Sequence, residues 1–214
     1  MKISLTLDQM LSVFETYNTA TWFVQVIACI LGITAIFLTV KTSVYTNRII
    51  SAILSFIWLW TGVVFCIFYW APVFTPSYGY GVLYIIQAGM FFWALFRLKL
   101  SFRFEMNEYS VLGVLFIIYS MIGYPLVGYF LDHIYPQSVS FILAPCPVVV
   151  FTFGMLLLTH IKFPKYLLII PLFWSVCGII PVYLGILEDI GLVVAGVVST
   201  ILILIRDRKR RVGF

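Results

Sequence analysis

The sequence predicts an all-α, polytopic transmembrane bundle of seven spans with its N-terminus outside and its C-terminus inside. Three observations carry that reading. Of the 214 residues, 63% are hydrophobic and only 10% charged, whereas a water-soluble domain carries roughly a quarter charged residues. The charges fall in clumps, and the apolar runs between them are long enough to cross a bilayer. Lys and Arg gather in alternate connections, which sets the orientation.

The chain opens with "TLDQMLSVFETYN", predicted as a short amphipathic helix on the outer face within residues 1–20. Thr6 and Gln9 have capping-box spacing, and Leu7, Met10, Leu11, Phe14 and Tyr17 recur at helical intervals. Such a helix serves as an interfacial anchor or as a lid over an outward-facing cavity. No cleavable signal-peptide pattern is expected at the start.

The transmembrane domain is predicted over residues 21–205. Its spans are Thr21–Val40, Arg48–Trp70, Tyr80–Leu98, Tyr109–Leu131, Pro147–Ile161, Pro164–Leu184 and Leu187–Ile205. The runs are continuously apolar, whereas barrel strands alternate, so helices are expected. The fifth is short for a span, consistent with a tilted or recessed helix. Lys41, Arg48, Arg97, Lys99, Arg103, Lys162 and Lys165 lie in the connections of one side, together with a basic tail at residues 206–214. Only Lys2 lies opposite, and the positive-inside rule therefore puts the tail in the cytoplasm. The net charge of +5 is accounted for by topology, with some attraction to anionic lipid, and calls for no nucleic-acid partner.

The connections of the other side differ in kind. Residues 71–81, "APVFTPSYGYG", carry two prolines and two tyrosines. Residues 132–146, "DHIYPQSVSFILAPC", hold Asp132, His133, Tyr135 and Cys146, and "GILEDIG" holds Glu188 and Asp189. The chemically capable groups thus collect on the outer face, on loops, where function concentrates. A weak repeat is also visible. "YSMIGYPLVGYFLD" from Tyr119 parallels "WSVCGIIPVYLGILED" from Trp174, and Trp60–Thr61 starts a looser third copy. Repeats of this kind are common in transporters.

Cys146 stands between two prolines. A residue before proline is steered out of the helical region, and proline suits the first position of a helix. Cys146 is therefore expected as an N-cap-like residue at the outer end of the fifth helix, where the positive helix end favours a thiolate; the alternative is a small packing residue. With His133 it forms a candidate pair for a soft or borderline metal, or a nucleophile and its base. Cys29, Cys66 and Cys177 lie inside spans without motif spacing. His160 is expected at the inner end, away from His133.

Glu188 and Asp189 head the seventh span. They suit a helix N-terminus on dipole grounds and equally suit cation or proton handling at the membrane. Alignment of the repeats pairs Asp189 with Asp132, so Asp189 is expected to face the interior and Glu188 to be more exposed. Trp70, Tyr124 and Tyr135 belong to an interfacial aromatic belt or to a cage for a cationic ligand. Gln87 is a polar candidate for lining a pocket or for bonding a neighbouring helix. The candidate ligand-binding residues are therefore Cys146, His133, Asp132, Glu188, Asp189, Tyr135 and Gln87. Walker A, GxSxG, HExxH and dinucleotide fingerprints are absent, and the sequence points to no cofactor.

The pieces "VFETYNTATW", "YPLVGYFLDHIYPQ", "LAPCPVVVFTFG" and "LGILEDIGL" resemble a family of small bacterial multi-span membrane proteins defined by a domain of unknown function. The likeness runs over nearly the whole chain, with the PCP–TFG and LGxxED motifs its most specific parts. It implies a bacterial inner-membrane location and no substrate. The residues themselves favour binding or transport of a small solute or ion from the outer face. A membrane enzyme with Cys146 as nucleophile, and a receptor or assembly subunit, are the alternatives.

Overall fold

The structure, a computed structural model, describes residues 6–97, 100–139 and 143–212, without the side chains of 97 and 210–212. Lys2 and Lys99, and the expected end of the third span at Leu98, lie outside the described residues. The described chain is predominantly helical, in the order α1 (Leu7–Val40), α2 (Thr46–Trp60), α3 (Ser77–Arg97), α4 (Glu108–Ile118), α5 (Tyr124–Phe130), α6 (Pro145–Leu157), α7 (Ile169–Cys177), α8 (Ile179–Leu184) and α9 (Ile190–Val212). Among the described residues, six helical segments are long and apolar enough to cross a membrane: 7–40, 46–70, 77–96, 108–130, 165–184 and 187–209. Large apolar side chains point outward along them, among them Phe23, Ile30 and Ile33 on α1 and Phe92 and Phe96 on α3. A surface of that kind in a multi-pass chain is a lipid-facing one.

α1 is one unbroken helix, which corrects the separation of an amphipathic segment at residue 20. Its N-cap is as predicted: Thr6 accepts from Gln9 N while the Gln9 side chain accepts from Thr6 N. Nothing between Thr16 and Thr21 removes a backbone donor, so the helix continues. Thirty-four residues make a rod of ~51 Å, well beyond a hydrocarbon core of ~30 Å. Its first turns lie over the end of the bundle.

α6 is the opposite case. It spans 13 residues, or ~20 Å, and its side chains are buried almost without exception. The run predicted as Pro147–Ile161 is therefore not a lipid-facing span; it is a core helix enclosed by the others. Protein surrounds it, so its length need not match the bilayer, and the chain beyond Leu157 leaves the helix to pair Phe102 with Thr159. Glycines let α4 and α6 touch. A Cβ on Gly113 would lie 2.8 Å from Gly154 O, and one on Gly154 2.7 Å from Gly113 O. Such backbone approach is the usual use of small residues between membrane helices.

Three of the longer helices are irregular where the repeat predicts copies. α2 passes into a π-helical stretch at Thr61–Trp70, α4 into another at Tyr119–Gly123, and α7 breaks from α8 at Gly178. In each copy the hydroxyl after the aromatic residue bonds back to its own helix: Thr61 to Ile57 O, Ser120 to Ile117 O and Ser175 to Pro171 O. Back-bonding bends helices, and Pro125 and Pro181 each remove a backbone donor nearby.

Prolines also decide the polar contacts between helices. Pro147 cannot donate to Leu143 O, four residues earlier. Tyr17 OH and Thr61 Oγ1 donate there instead, at 3.3 and 3.2 Å. Pro171 cannot donate to Leu167 O, and Gln87 Nε2 does so at 3.2 Å. The basic end is closed by Arg206, 4% exposed. Its guanidinium donates to Leu157 O, Thr159 O and Thr159 Oγ1, capping α6, while Asp207 pairs with Lys165 and Arg206. The tail expected from residue 206 therefore begins inside the fold: α9 continues to Val212, and Arg206 and Asp207 are structural.

Candidate functional site

At the end of the bundle away from the basic residues, the chain folds two acids into its interior. Gly185, with φ of 108°, ends α8. A single 3-10 turn at Leu187–Asp189 then leads into α9. Asp189 is 1% exposed and Glu188 0%, so the expected burial of Asp189 holds and the expected exposure of Glu188 does not. The tight turn sends the two side chains in different directions, and each finds its own partner.

Asp189 Oδ2 accepts from the Cys146 thiol at 3.1 Å, and Oδ1 accepts from Tyr124 OH at 3.1 Å. Glu188 Oε1 lies 2.9 Å from His133 Nδ1, while Glu188 Oε2 is buried without a hydrogen-bond partner. Tyr119 OH donates to the Glu188 carbonyl at 2.7 Å. Gly128 makes room for this arrangement, since a Cβ there would stand 2.8 Å from Glu188 Oε1. His133 is held close by because its backbone N–H bonds back to Gly128 O.

Cys146 is not the cap of its helix. Ala144 is extended and takes the cap position, with Pro145 first and Cys146 second in the helix. Pro145 and Pro147 both fit this first turn, whose N–H groups have no partner in the helix to lose. A thiolate at Cys146 would put two negative charges 3.1 Å apart in a buried place, so the expectation of a thiolate-prone cysteine is corrected to a thiol that donates to Asp189.

The Cys146–Asp189 pair forms part of the wall of a narrow cavity, partly open to the surroundings, whose other walls are apolar. An adjoining space shares Met10, Trp70, Cys146, Trp174 and Pro181 with it, and adds Phe74 and Tyr80. The aromatic side chains form a connected set: Trp70 stacks on Phe74 at 5.6 Å, and Trp174 meets Tyr80 edge-on at 4.9 Å. Met10, Val13 and Phe14 of α1 cover the first cavity. The segment read as anchor or lid thus contributes one wall of the cavity.

The other sequence candidates fall elsewhere. Asp132 is exposed, at a turn with φ of 62°. Tyr135 is exposed and donates to Asn18 O at 3.3 Å, and Gln87 serves Leu167 O. These three are not brought to the cavity. His133 and Cys146 are each engaged with a different acid, so neither the metal pair nor the nucleophile–base pair is assembled. Among the described residues no group of three or more His, Cys, Asp or Glu side chains converges as metal ligands. His160 lies at the basic end against Ser101 O, as expected. Sequence reading missed Met10, Trp174, Tyr80 and Phe74 as site residues. Each had left a signal short of a site: Met10 on the apolar face of the first helix, Phe74 and Tyr80 in the outer connection at 71–81, and Trp174 as the aromatic that opens the second repeat copy.

The chain matches, over residues 7–213, the model of the family described as a family of unknown function, DUF6064. It belongs to that family. The matched stretch takes in every residue named above for the site, from Met10 to Asp189. No curated protein and no solved structure matches the chain, so what this DUF6064 protein does has to be argued from its own geometry.

Proposed function

We propose that this protein binds a small organic cation with an apolar body in the cavity beneath α1, reached from the outer side of a bacterial inner membrane. The observation that carries the reading is Asp189, a carboxylate 1% exposed at the wall of a cavity whose remaining walls are apolar and aromatic. A few polar groups in a mostly apolar pocket fix a ligand's orientation. Aromatic faces together with a carboxylate suit an ammonium group. In this reading Asp189 takes the charge, Cys146 and Tyr124 orient Asp189, and Trp70, Tyr80 and Trp174 take the apolar body.

The topology that goes with it has seven passes, N-out and C-in, with α6 as a pass shielded from lipid. Hydrogen bonds support the grouping of ends. Phe104 N to Thr39 O, Phe102 N to Asn47 Oδ1 and Arg206 to Thr159 gather the basic connections at one end, opposite Asp189. The helix breaks at Thr61, Tyr119 and Gly178 support movement as well as binding, since interrupted helices flank the sites of many transporters.

Tryptophan fluorescence titrated with phenethylamine, phenethyl alcohol and phenylacetate tests the reading, because the three share a body and differ in charge. Saturable quenching by the amine, at least tenfold tighter than by the others, is expected. Equal response to all three would overturn it. Counterflow of labelled phenethylamine in proteoliposomes then separates transport from binding alone.

A further inference from the structure

Trp174 brings to the cavity a buried hydrogen-bond donor that the protein leaves unused. The residue is 5% exposed, and its Nε1 makes no hydrogen bond with the described residues. A buried indole N–H ordinarily finds a partner, so this one calls for a reason. Four other buried side-chain atoms share that state: Gln87 Oε1, Glu188 Oε2, Ser199 Oγ and Thr200 Oγ1. None of their residues lines either cavity space, whereas Trp174 lines both. The indole is wedged in place. It meets Tyr80 and Tyr84 edge-on at 4.9 and 5.2 Å, and Tyr84 is itself held by its bond to Pro145 O at 2.8 Å. Its N–H faces the Cys146 sulfur, a weak acceptor whose own hydrogen goes to Asp189. Cys146 thus stands between an unused donor and the Asp189 carboxylate, on the wall of both spaces.

We infer that the ligand carries a hydrogen-bond acceptor close to its positive charge, as a β-amino alcohol or an α-amino ester or amide does, and that the Trp174 N–H donates to that acceptor. The inference rests on the cation reading of the cavity and names the ligand class. An ammonium group at Asp189 and an oxygen at Trp174 are separated by a single side chain, that of Cys146. That separation suits an oxygen on the carbon next to the one that bears the nitrogen. A plain alkylamine satisfies Asp189 and leaves the indole N–H buried without a partner, and a site built around a polar group discriminates against a ligand that leaves it unpaired. A free amino acid is disfavoured, because its carboxylate would stand close to that of Asp189.

Calorimetry on the purified full chain with three amines tests this. β-Hydroxyphenethylamine adds to phenethylamine a hydroxyl beside the charge, and tyramine adds the same hydroxyl at the far end of the ring. β-Hydroxyphenethylamine is expected to bind roughly fivefold tighter than phenethylamine or better, the worth of one net hydrogen bond, and tyramine no tighter than phenethylamine. Trp174→Phe keeps an aromatic ring and removes the donor, so it should bring the ratio of the β-hydroxyphenethylamine and phenethylamine affinities close to one. Phenethylamine binding with no advantage for the β-hydroxyl, an equal gain for tyramine, or an advantage that survives Trp174→Phe would overturn the donor role and leave the cation site standing. Binding of none of the three would overturn the cation site, and this inference with it. The three ligands compared on the unsubstituted protein decide the matter where Trp174→Phe does not fold.

Discussion

Glu188 and Asp189 are consecutive residues whose carboxylates take separate partners, His133 at 2.9 Å and Cys146 at 3.1 Å. An ordinary α-helical start would have turned one of them to the surface. The 3-10 turn and the open space at Gly128 bring both inside. The division assigns Asp189 to the cavity and Glu188 to the loop behind it.

Substituting the two acids is therefore expected to have unequal effects. Asp189→Asn removes the charge at the cavity wall and should weaken phenethylamine binding tenfold or more, ~1.4 kcal/mol at least. Glu188→Gln should cost less affinity, because Glu188 faces His133 and does not line the cavity. Fluorescence titration of both variants checks this, and a larger loss from Glu188→Gln would reverse the assignment.

The place of α1 at the cavity wall bears on thiol reactivity. Cys146 is half-buried beneath Met10 and donates to Asp189, so a bulky membrane-impermeant maleimide should label it slowly from outside. Met10→Ala opens the cover and is expected to raise that rate several-fold. Rates followed by mass spectrometry decide it. An unchanged rate would mean that α1 does not control entry.

Gln87 is expected to matter for stability and not for binding. Gln87→Leu leaves Leu167 O without its donor beside Pro171, at a cost of ~1–3 kcal/mol. Thermal unfolding in detergent should show a lower Tm with phenethylamine affinity retained. Lost affinity at full stability would return Gln87 to the site.

Arg206 and Arg208 are near neighbours with different duties. Arg206 caps α6 through three hydrogen bonds, whereas Arg208 is exposed. Arg206→Lys cannot reproduce the planar fork and should cost ~1.5–3 kcal/mol, the range for hydrogen bonds to charged groups. Arg208→Lys should stay within ~0.5 kcal/mol. Denaturant or thermal unfolding of the two variants provides the comparison.

Sidedness follows from the same charge map. Single cysteines placed in the connection at 71–76 and after Lys209, in a background lacking native cysteines, should react from outside and only from inside respectively. Labelling of both from one side would overturn the N-out, C-in arrangement.

Much of this protein was legible in its residues because the bilayer imposes simple rules. Long apolar runs must become helices, since lipid offers no partner for backbone groups. The Thr6–Gln9 cap, the repeat that marks the three irregular helices and the inward-facing Asp189 were readable for similarly local reasons. The partnerships were not. That α6 is a core helix depends on what surrounds it, and hydropathy reports only that a segment avoids water. That Cys146 meets Asp189 and not His133, that Glu188 is buried, and that Gln87 serves a carbonyl vacated by Pro171 are consequences of which helices lie side by side. Contacts between residues 43 to 80 positions apart leave no periodicity in the chain, and only packing decides them.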